Sequence, residues 1–267
     1  MESWLLTNEL YLRLGAFFGV FLIMALWERV RPCRPLNFTR WYRWSNNLAL
    51  VFLNSLILRI LFPVAAVGVA LLVEQKGYGL LNLLGVPLFL STFIAVVTLD
   101  MLIYWQHVLF HKIPMLWALH KVHHADLDYD VTTGARFHPL EILLSMLVKM
   151  AAIVLLGAPA VAVLVFEILL NASAMFNHSN IQLPRTVDKF VRMFLVTPDM
   201  HRVHHSQIQQ ETDSNYGFSL SCWDRLFSTY TAQPQKGHLG MDIGLSELKE
   251  PSLVCSLKGM ISLPFRR

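Results

Sequence analysis

The sequence predicts an all-α, integral-membrane fold, and three observations carry that expectation. Of 267 residues, 55% are hydrophobic and only 15% charged, too oily a balance for an ordinary soluble domain. Nearly uncharged apolar runs recur at lengths suited to a helix crossing a hydrocarbon core of ~30 Å. The eleven histidines lie at the ends of those runs or between them. These features together predict about four hydrophobic helical segments in hairpins, carrying a cytosolic, helical, histidine-rich cap. Residues 1–267 are read as a single domain whose histidine-rich core covers about 90–240.

Residues 1–13 read as an amphipathic lead-in. No cleavable signal peptide is expected, because Glu2 and Glu9 precede the first apolar run and no small-residue cleavage site follows it. Residues 14–27 carry no charge and, extended by Tyr11 and Leu12 with Arg13 snorkelling, just suffice for a crossing, with a buried or interfacial helix as the alternative. Arg29, Arg31, Arg34, Arg40 and Arg43, broken up by Pro32 and Pro35, then place their loop on the cytoplasmic side. Residues 46–73 are apolar around Arg59 and Pro63. An arginine there faces the bundle or marks where the helix tilts or breaks.

Gly77, Gly79 and Gly85 mark the return, and the uncharged span 80–99 is expected to continue unbroken to residue 111. On that helix Asp100, Tyr104, His107 and His111 share one stripe, at spacings of four, three and four. Residues 112–141, with Pro114 and Pro139 as punctuation, predict a cytosolic helix followed by a loop. A helical hairpin turns at residues 157–159, one arm ending near 156 and the other running from 160 to about 174. Each arm is short for a full crossing, which suits a tilted or partly embedded hairpin. Beyond residue 177 the chain is expected to be cytosolic. It carries a short helix over 186–195 and a tail whose Tyr216, Phe218, Trp223, Phe227 and Tyr230 pack beneath the histidines.

Charge and cysteine content exclude several functions. The formal net charge of +4 comes from Lys and Arg near the membrane boundaries, not from the basic stripe of a nucleic-acid binder. Cys33, Cys222 and Cys255 are odd in number and far apart, so they suggest neither a metal spacing nor a disulfide framework.

The histidines show the most order. His107 and His111 are one helical turn apart, and the spacing HxxHH occurs twice, at His120, His123, His124 and at His201, His204, His205. A single core histidine usually satisfies a hydrogen bond. Eight in repeated spacing without a common partner would incur the desolvation cost eight times. Metal binding is the better reading, and more than one ion is implied. Neutral imidazole suits Fe, Zn, Cu or Ni, whereas Mg and Ca want oxygen ligands.

HxxxH at 107–111, HxxHH at 120–124 and HxxHH at 201–205, with eight residues between the first two, resemble the pattern of the fatty acid hydroxylase and sterol desaturase superfamily. The stretches FNHSN at 176–180, TPDMHRVHH at 197–205, SNYG at 214–217 and WDRLF at 223–227 are similar to its bacterial sterol desaturase branch. The resemblance covers roughly residues 90–240. It implies an integral-membrane, non-haem diiron oxygenase in the bacterial inner membrane, with its active site on the cytoplasmic side. Two iron ions, for which zinc can substitute on purification, would be bound by His107, His111, His120, His123, His124, His201, His204 and His205, and O2 would be the co-substrate. His178 matches a further ligand that relatives draw from the last membrane hairpin. Asn177 stands beside it where some members have a histidine, so an amide, water or nothing fills that position. His138, in RFHPLE, is read as that missing ligand, as a residue orienting one, or as a cap on its loop. His238 is read as functional or as an ordinary surface or core histidine.

Metal-bound imidazoles usually donate their second N–H to a carboxylate or carbonyl, for which Asp100, Asp126, Asp128, Asp199 and Asp224 are the acidic choices. Asp199, two residues before His201, is the foremost, with a helix N-cap as its alternative. Asn180 and Asn215 are further orienting residues, and Trp105 and Trp117 wall the site or sit at the membrane interface.

The resemblance implies O2-dependent hydroxylation or desaturation of an apolar lipid such as a sterol or fatty acyl chain. The chain holds no haem-attachment CxxCH, cluster-forming cysteines or nucleotide fingerprint. An external electron donor is therefore implied: a ferredoxin, a cytochrome b5-like protein or a reductase. The 29–43 loop could dock it, or could anchor topology on anionic lipid. The spacing leaves oligomeric state open. Rival readings are a zinc-dependent membrane hydrolase, which would want a general-base glutamate as in HExxH, a metal transporter, and a catalytically silent metal-binding membrane protein.

Overall fold

A computed structural model describes residues 2–266, and among them the regular structure is helical, with two isolated bridges and no strand. α1 (Glu2–Thr7) leads into α2 (Glu9–Val30). α3 (Arg40–Leu61) and α4 (Ala65–Lys76) form one broken rod, and α5 (Leu80–Leu83) is a single turn before α6 (Leu88–Lys112). Then come α7 (Pro114–His124), α8 (Pro139–Leu156), α9 (Ala160–Asn177), α10 (Arg185–Val191) and α11 (Pro198–His204). α12 (Gln209–Thr212), α13 (Cys222–Leu226), α14 (Gly237–Gly240), α15 (Pro251–Val254) and α16 (Leu257–Ser262) are short pieces of the cap.

Among the described residues, five helical stretches are long and apolar enough to cross a membrane: Glu9–Val30, Arg40–Leu83, Leu88–Lys112, Pro139–Leu156 and Ala160–Asn177. The hairpin that reads as one hydrophobic segment contributes two of them. α9 lies at the centre, packed by α2, α4 and α6, and its Val163, Leu164 and Phe166 are buried in the core shared with Leu99 and Ile103 of α6. Elsewhere the helices leave large apolar side chains exposed, such as Phe18, Phe52, Phe89, Phe93 and Leu155. Lipid is the solvent that such surfaces require.

Proline and glycine set the boundaries. The third crossing starts at Leu88 and not at residue 80, because Gly85 takes a left-handed turn (φ 61°) and Pro87 follows. From there α6 runs unbroken through His107 and His111. Arg59 is exposed in the last turn of α3, where the chain breaks around Pro63, and a cation there also complements the helix dipole. Gly79 (φ 88°) and Gly157 (φ 71°) meet backbone to backbone; a Cβ on Gly79 would lie 2.2 Å from the Gly157 nitrogen. That contact holds the hairpin tip against the α4–α5 turn. One group of charges inside the helical layer is paired: Glu167 of α9 accepts from Arg13 of α2 at 2.7 Å and from Lys149 of α8.

The arginine loop after α2 folds against the cap. The backbone N–H groups of Asn37 and Phe38 donate to Asp128, Cys33 N donates to Asn180 O, and Arg34 donates to the carbonyls of His238 and Met241. Arg43 is fully buried between Asp126 and Asp130. The loop and the histidines therefore lie on one side of the helical layer. The helix expected over 186–195 is shorter, ending at Val191, and hydrogen-bonded turns continue it to residue 195.

Candidate metal centre

Three of the helices that carry or adjoin the histidines begin with proline at their first position: α7 at Pro114, α8 at Pro139 and α11 at Pro198. Proline there loses no helical hydrogen bond and fixes φ for the turn that follows. Thr197 caps α11 by accepting from Met200 N at 3.3 Å. The two HxxHH elements thus each lie on a short helix with a sharply defined start, at Pro114 and at Pro198.

Nine histidines converge into two adjoining groups. His107, His111, His120, His124 and His204 form one, His123, His178, His201 and His205 the other, and within each group the donor nitrogens all lie within 4.8 Å of one another. The two HxxHH elements are used reciprocally. The one-turn pair His120 and His124 serves the first group while His123 crosses to the second. The pair His201 and His205 serves the second group while His204 crosses to the first. The groups share a wall, with the His124 and His205 rings stacked at 4.5 Å and His201 and His204 at 5.0 Å.

Hydrogen bonds fix which nitrogen is free. His107 Nδ1 donates to Tyr216 O at 2.8 Å, His204 Nδ1 to Ser214 O at 2.7 Å, His178 Nδ1 to Ala174 O at 2.8 Å and His120 Nδ1 to Glu141 Oε1 at 2.7 Å. His111 Nδ1 faces Asp213 Oδ1 at 3.5 Å. A proton on Nδ1 leaves a lone pair on Nε2, and in the first group all five Nε2 atoms are buried without a partner. In the second group His178 Nε2 sits 3.1 Å from His123 Nε2 and 3.0 Å from His201 Nε2. One ring lone pair accepts one hydrogen bond, so two neighbours at that distance lack a mutual solution without a cation. Burial, chiefly, pushes His120 and His178 down to about 3 and holds His123, His124, His201, His204 and His205 well below the ordinary imidazole value. The rings are therefore neutral, the form that binds metal. Donor nitrogens this close together, all within 4.8 Å in each group, could be shared by one ion per group. An all-imidazole donor set suits a first-row transition metal.

Trp117 walls the first group, 5.0 Å from His111 and 5.4 Å from His124, whereas Trp105 faces outward, 41% exposed. His138 joins neither group: it caps α8, accepting from Leu140 N and facing Ile261 O. Asn177 uses its amide on Phe218 O, while its backbone carbonyl accepts from Tyr129. Asp199 neither caps α11 nor meets a clustered histidine. It pairs with Arg202 one turn on, at 2.7 Å, with His238 at 3.7 Å. The other expected acids hold loops. Asp126 binds Arg43, Asp128 binds the 37–38 turn, Asp100 accepts from Trp223 Nε1, and Asp224 accepts from the backbone of Tyr216 and Gly217. Asn180 ties down Arg34, and Asn215 holds Met200 O and Thr231 O.

The residues that do orient histidines are Glu141, Asp213 and the carbonyls of Ala174, Ser214 and Tyr216. Glu141 has no spacing signal, being 21 residues from His120. SNYG at 214–217 was visible as a motif but its role runs through the backbone. Gly134 is required by contact: a Cβ there would lie 2.5 Å from Ala174 O and 3.0 Å from His178 Nδ1.

A cavity of about 260 Å³ reaches the first group. His107, His120 and Glu141 form its inner end, and Phe17, Leu58, Ile103 and Leu170 of four different membrane helices line the rest.

Comparison with known proteins gives a consistent set of relatives. A family model described as Fatty acid hydroxylase matches residues 92–229, slightly more than half of the chain. Ornithine lipid hydroxylase OlsE of Rhizobium tropici is 29% identical over 160 residues, which are 60% of this chain and 47% of that protein. Alkylglycerol monooxygenase of Homo sapiens is 28% identical over 143 residues, 52% of this chain and 30% of that one. The Danio rerio enzyme of the same name is 29% identical over 149 residues, 55% of this chain and 32% of that one. The chain spans less than half the length of these curated relatives. No solved structure matches it.

Proposed function

Because this chain belongs to the fatty acid hydroxylase family, we propose that it hydroxylates a membrane lipid at two iron ions, one in each histidine group. The balanced reaction is R–H + O2 + 2 e⁻ + 2 H⁺ → R–OH + H2O. Bound iron would supply what no side chain can, the activation of O2 for attack on an unactivated C–H bond. His107, His111, His120, His124 and His204 would hold one ion and His123, His178, His201 and His205 the other. The electrons come from a separate ferredoxin, cytochrome b5-like protein or reductase. The side bearing the histidines is the cytoplasmic side, in keeping with the arginines of the 29–43 loop.

One observation carries this reading: two adjoining groups of neutral imidazoles lie together without a carboxylate ligand, and an apolar cavity drawn from membrane helices reaches the first of them. Glu141, Asp213 and the carbonyls of Ala174, Ser214 and Tyr216 orient the ligands. Phe17, Leu58, Ile103 and Leu170 accept an alkyl chain and exclude water, while Gln106, hydrogen-bonded to Ser145 at 3.0 Å, gives the cavity one polar flank. The relatives' names describe oxygen insertion into an ornithine lipid and an alkylglycerol, which favours hydroxylation over desaturation here and makes those two lipids the first to test. Expression in a host supplied with each lipid and a reductase, under 18O2, should yield a product carrying one 18O atom. Loss of two mass units without label would mean desaturation. Unchanged lipids, from iron-loaded protein that is being reduced, would refute the oxygenase reading.

A further inference from the structure

We propose that α10, the turn after it and α13 are embedded in the lipid leaflet on the histidine side, so that the cap is inserted in the membrane and does not merely stand above it. In sequence the segment is amphipathic. Val187, Phe190, Met193, Phe194 and Leu195 are 43–62% exposed, whereas Asp188 and Arg192 turn inward and pair at 2.5 Å. Five large apolar side chains within nine residues make a patch that a water-facing surface rarely carries.

Depth follows from the hydrogen bonds. Asp100 on α6 accepts from Trp223 Nε1 at 2.8 Å and from Leu220 N at 3.2 Å. It lies twelve residues from each end of α6 (Leu88–Lys112), so ~18 Å along the rod from either end at 1.5 Å per residue. Residues 220–223 therefore sit beside the middle of a membrane-crossing helix. The chain before α11 is tied to the same level: Val196 N donates to Ser219 O at 2.9 Å, Ser221 N to Phe194 O at 3.0 Å, and Ser221 Oγ to Arg192 O at 2.8 Å. Phe194 and Leu195 thus share the depth of Asp100.

The patch is also continuous with the lipid-facing side of α6. Phe89 and Phe93, four apart, are exposed on the first part of α6, and Trp105 and Leu109, likewise four apart, on its last part. Between them Val97 and Met101 pack against the Tyr104, Tyr216 and Trp223 cluster that Leu220 and Phe227 also join. Phe227 lies 4.7 Å from Trp105, and its neighbour Leu226 is 66% exposed. Arg185 and Lys189 are exposed beside Phe190 and suit anionic headgroups at the rim, as basic residues do on interfacial helices.

The test uses the full chain with Cys33 and Cys222 replaced by serine, in phosphatidylethanolamine–phosphatidylglycerol vesicles. Nitroxides are placed through Phe190→Cys and Leu226→Cys, with Phe93→Cys as a lipid reference and Lys236→Cys as a water reference. The expected ratio of oxygen to nickel-chelate accessibility at 190 and 226 equals that at 93. A ratio equal to that at 236 overturns the proposal, as does exclusion of both probes, which would mean a protein partner or a second copy covers the face. Each site reads the surface alone, so one variant that fails to fold leaves the other decisive. The readout needs neither metal nor turnover and stands apart from the proposed reaction.

Discussion

His204→Ala should lose the metal of the five-histidine group, and His123→Ala that of the four-histidine group; either should reduce turnover by more than about 100-fold. The magnitude follows from the weaker case, because removing only a partner of a ligand typically costs 10–100-fold in metal affinity or activity. His204 presents a buried, unpartnered Nε2 whose direction is set by the carbonyl of Ser214. His123 stands 3.1 Å from His178 Nε2 at the crowded point of the second group. These residues are the crossing members of their motifs, so each variant also tests the reciprocal use of the two HxxHH elements. His238→Ala is the control: His238 lies beside Arg202 and Asp199 and outside both groups, so its loss should leave metal content unchanged. Metal analysis of the purified variants decides. Full metal in both histidine variants would remove the assignment.

Arg43→Ala should cost about 3–5 kcal/mol of stability, the range for breaking a buried ion pair by removing one partner. Arg43 donates to both oxygens of Asp126 at 2.8 and 2.7 Å and to Asp130 at 2.5 Å, and all three residues are essentially inaccessible. Without the guanidinium two carboxylates are left in the interior, directly after the α7 histidines. Arg43→Lys should rescue only in part, since an ammonium cannot make the two-pronged contact. Burial alone would raise the Asp126 carboxyl, but Arg43 and Arg136 outweigh it and hold it below the usual carboxylate range. A depressed folded value means that Asp126 contributes its stability fully above about pH 4, the unfolded value, and loses it as pH falls further toward the folded one. Thermal inactivation in detergent measures both effects, the first as Arg43→Ala against wild type at pH 7 and the second as wild type at pH 7 against about pH 2. Equal half-lives for wild type and Arg43→Ala at pH 7 would contradict the role.

The histidines were legible because their information is local: i, i+4 and HxxHH spacings put rings on one helical turn wherever the helix lies. Their division into five and four was not, since which group His123 and His204 join is settled only when the fold brings α7, α9 and α11 together. Carboxylates proved harder to read than histidines. Asp199 sits two residues from His201, yet Arg202 takes it, because residues three apart on a helix are neighbours while those two apart are not. Glu141 reaches His120 from another helix, and Tyr216 and Ser214 act through carbonyls that any side chain would supply. The start of the third crossing was displaced to Leu88 by Gly85 and Pro87, residues whose effect on a helix is local and readable. The arginine loop was harder to read, because charge alone does not separate exposed Arg29 and Arg31 from buried Arg43.

The most direct test of the central claim is the iron content of the intact chain after anaerobic loading with ferrous ion and removal of excess. Two ions per chain are expected, one for each imidazole group. A single ion per chain at saturation, or activity that persists after all iron is removed by a chelator, would contradict the account.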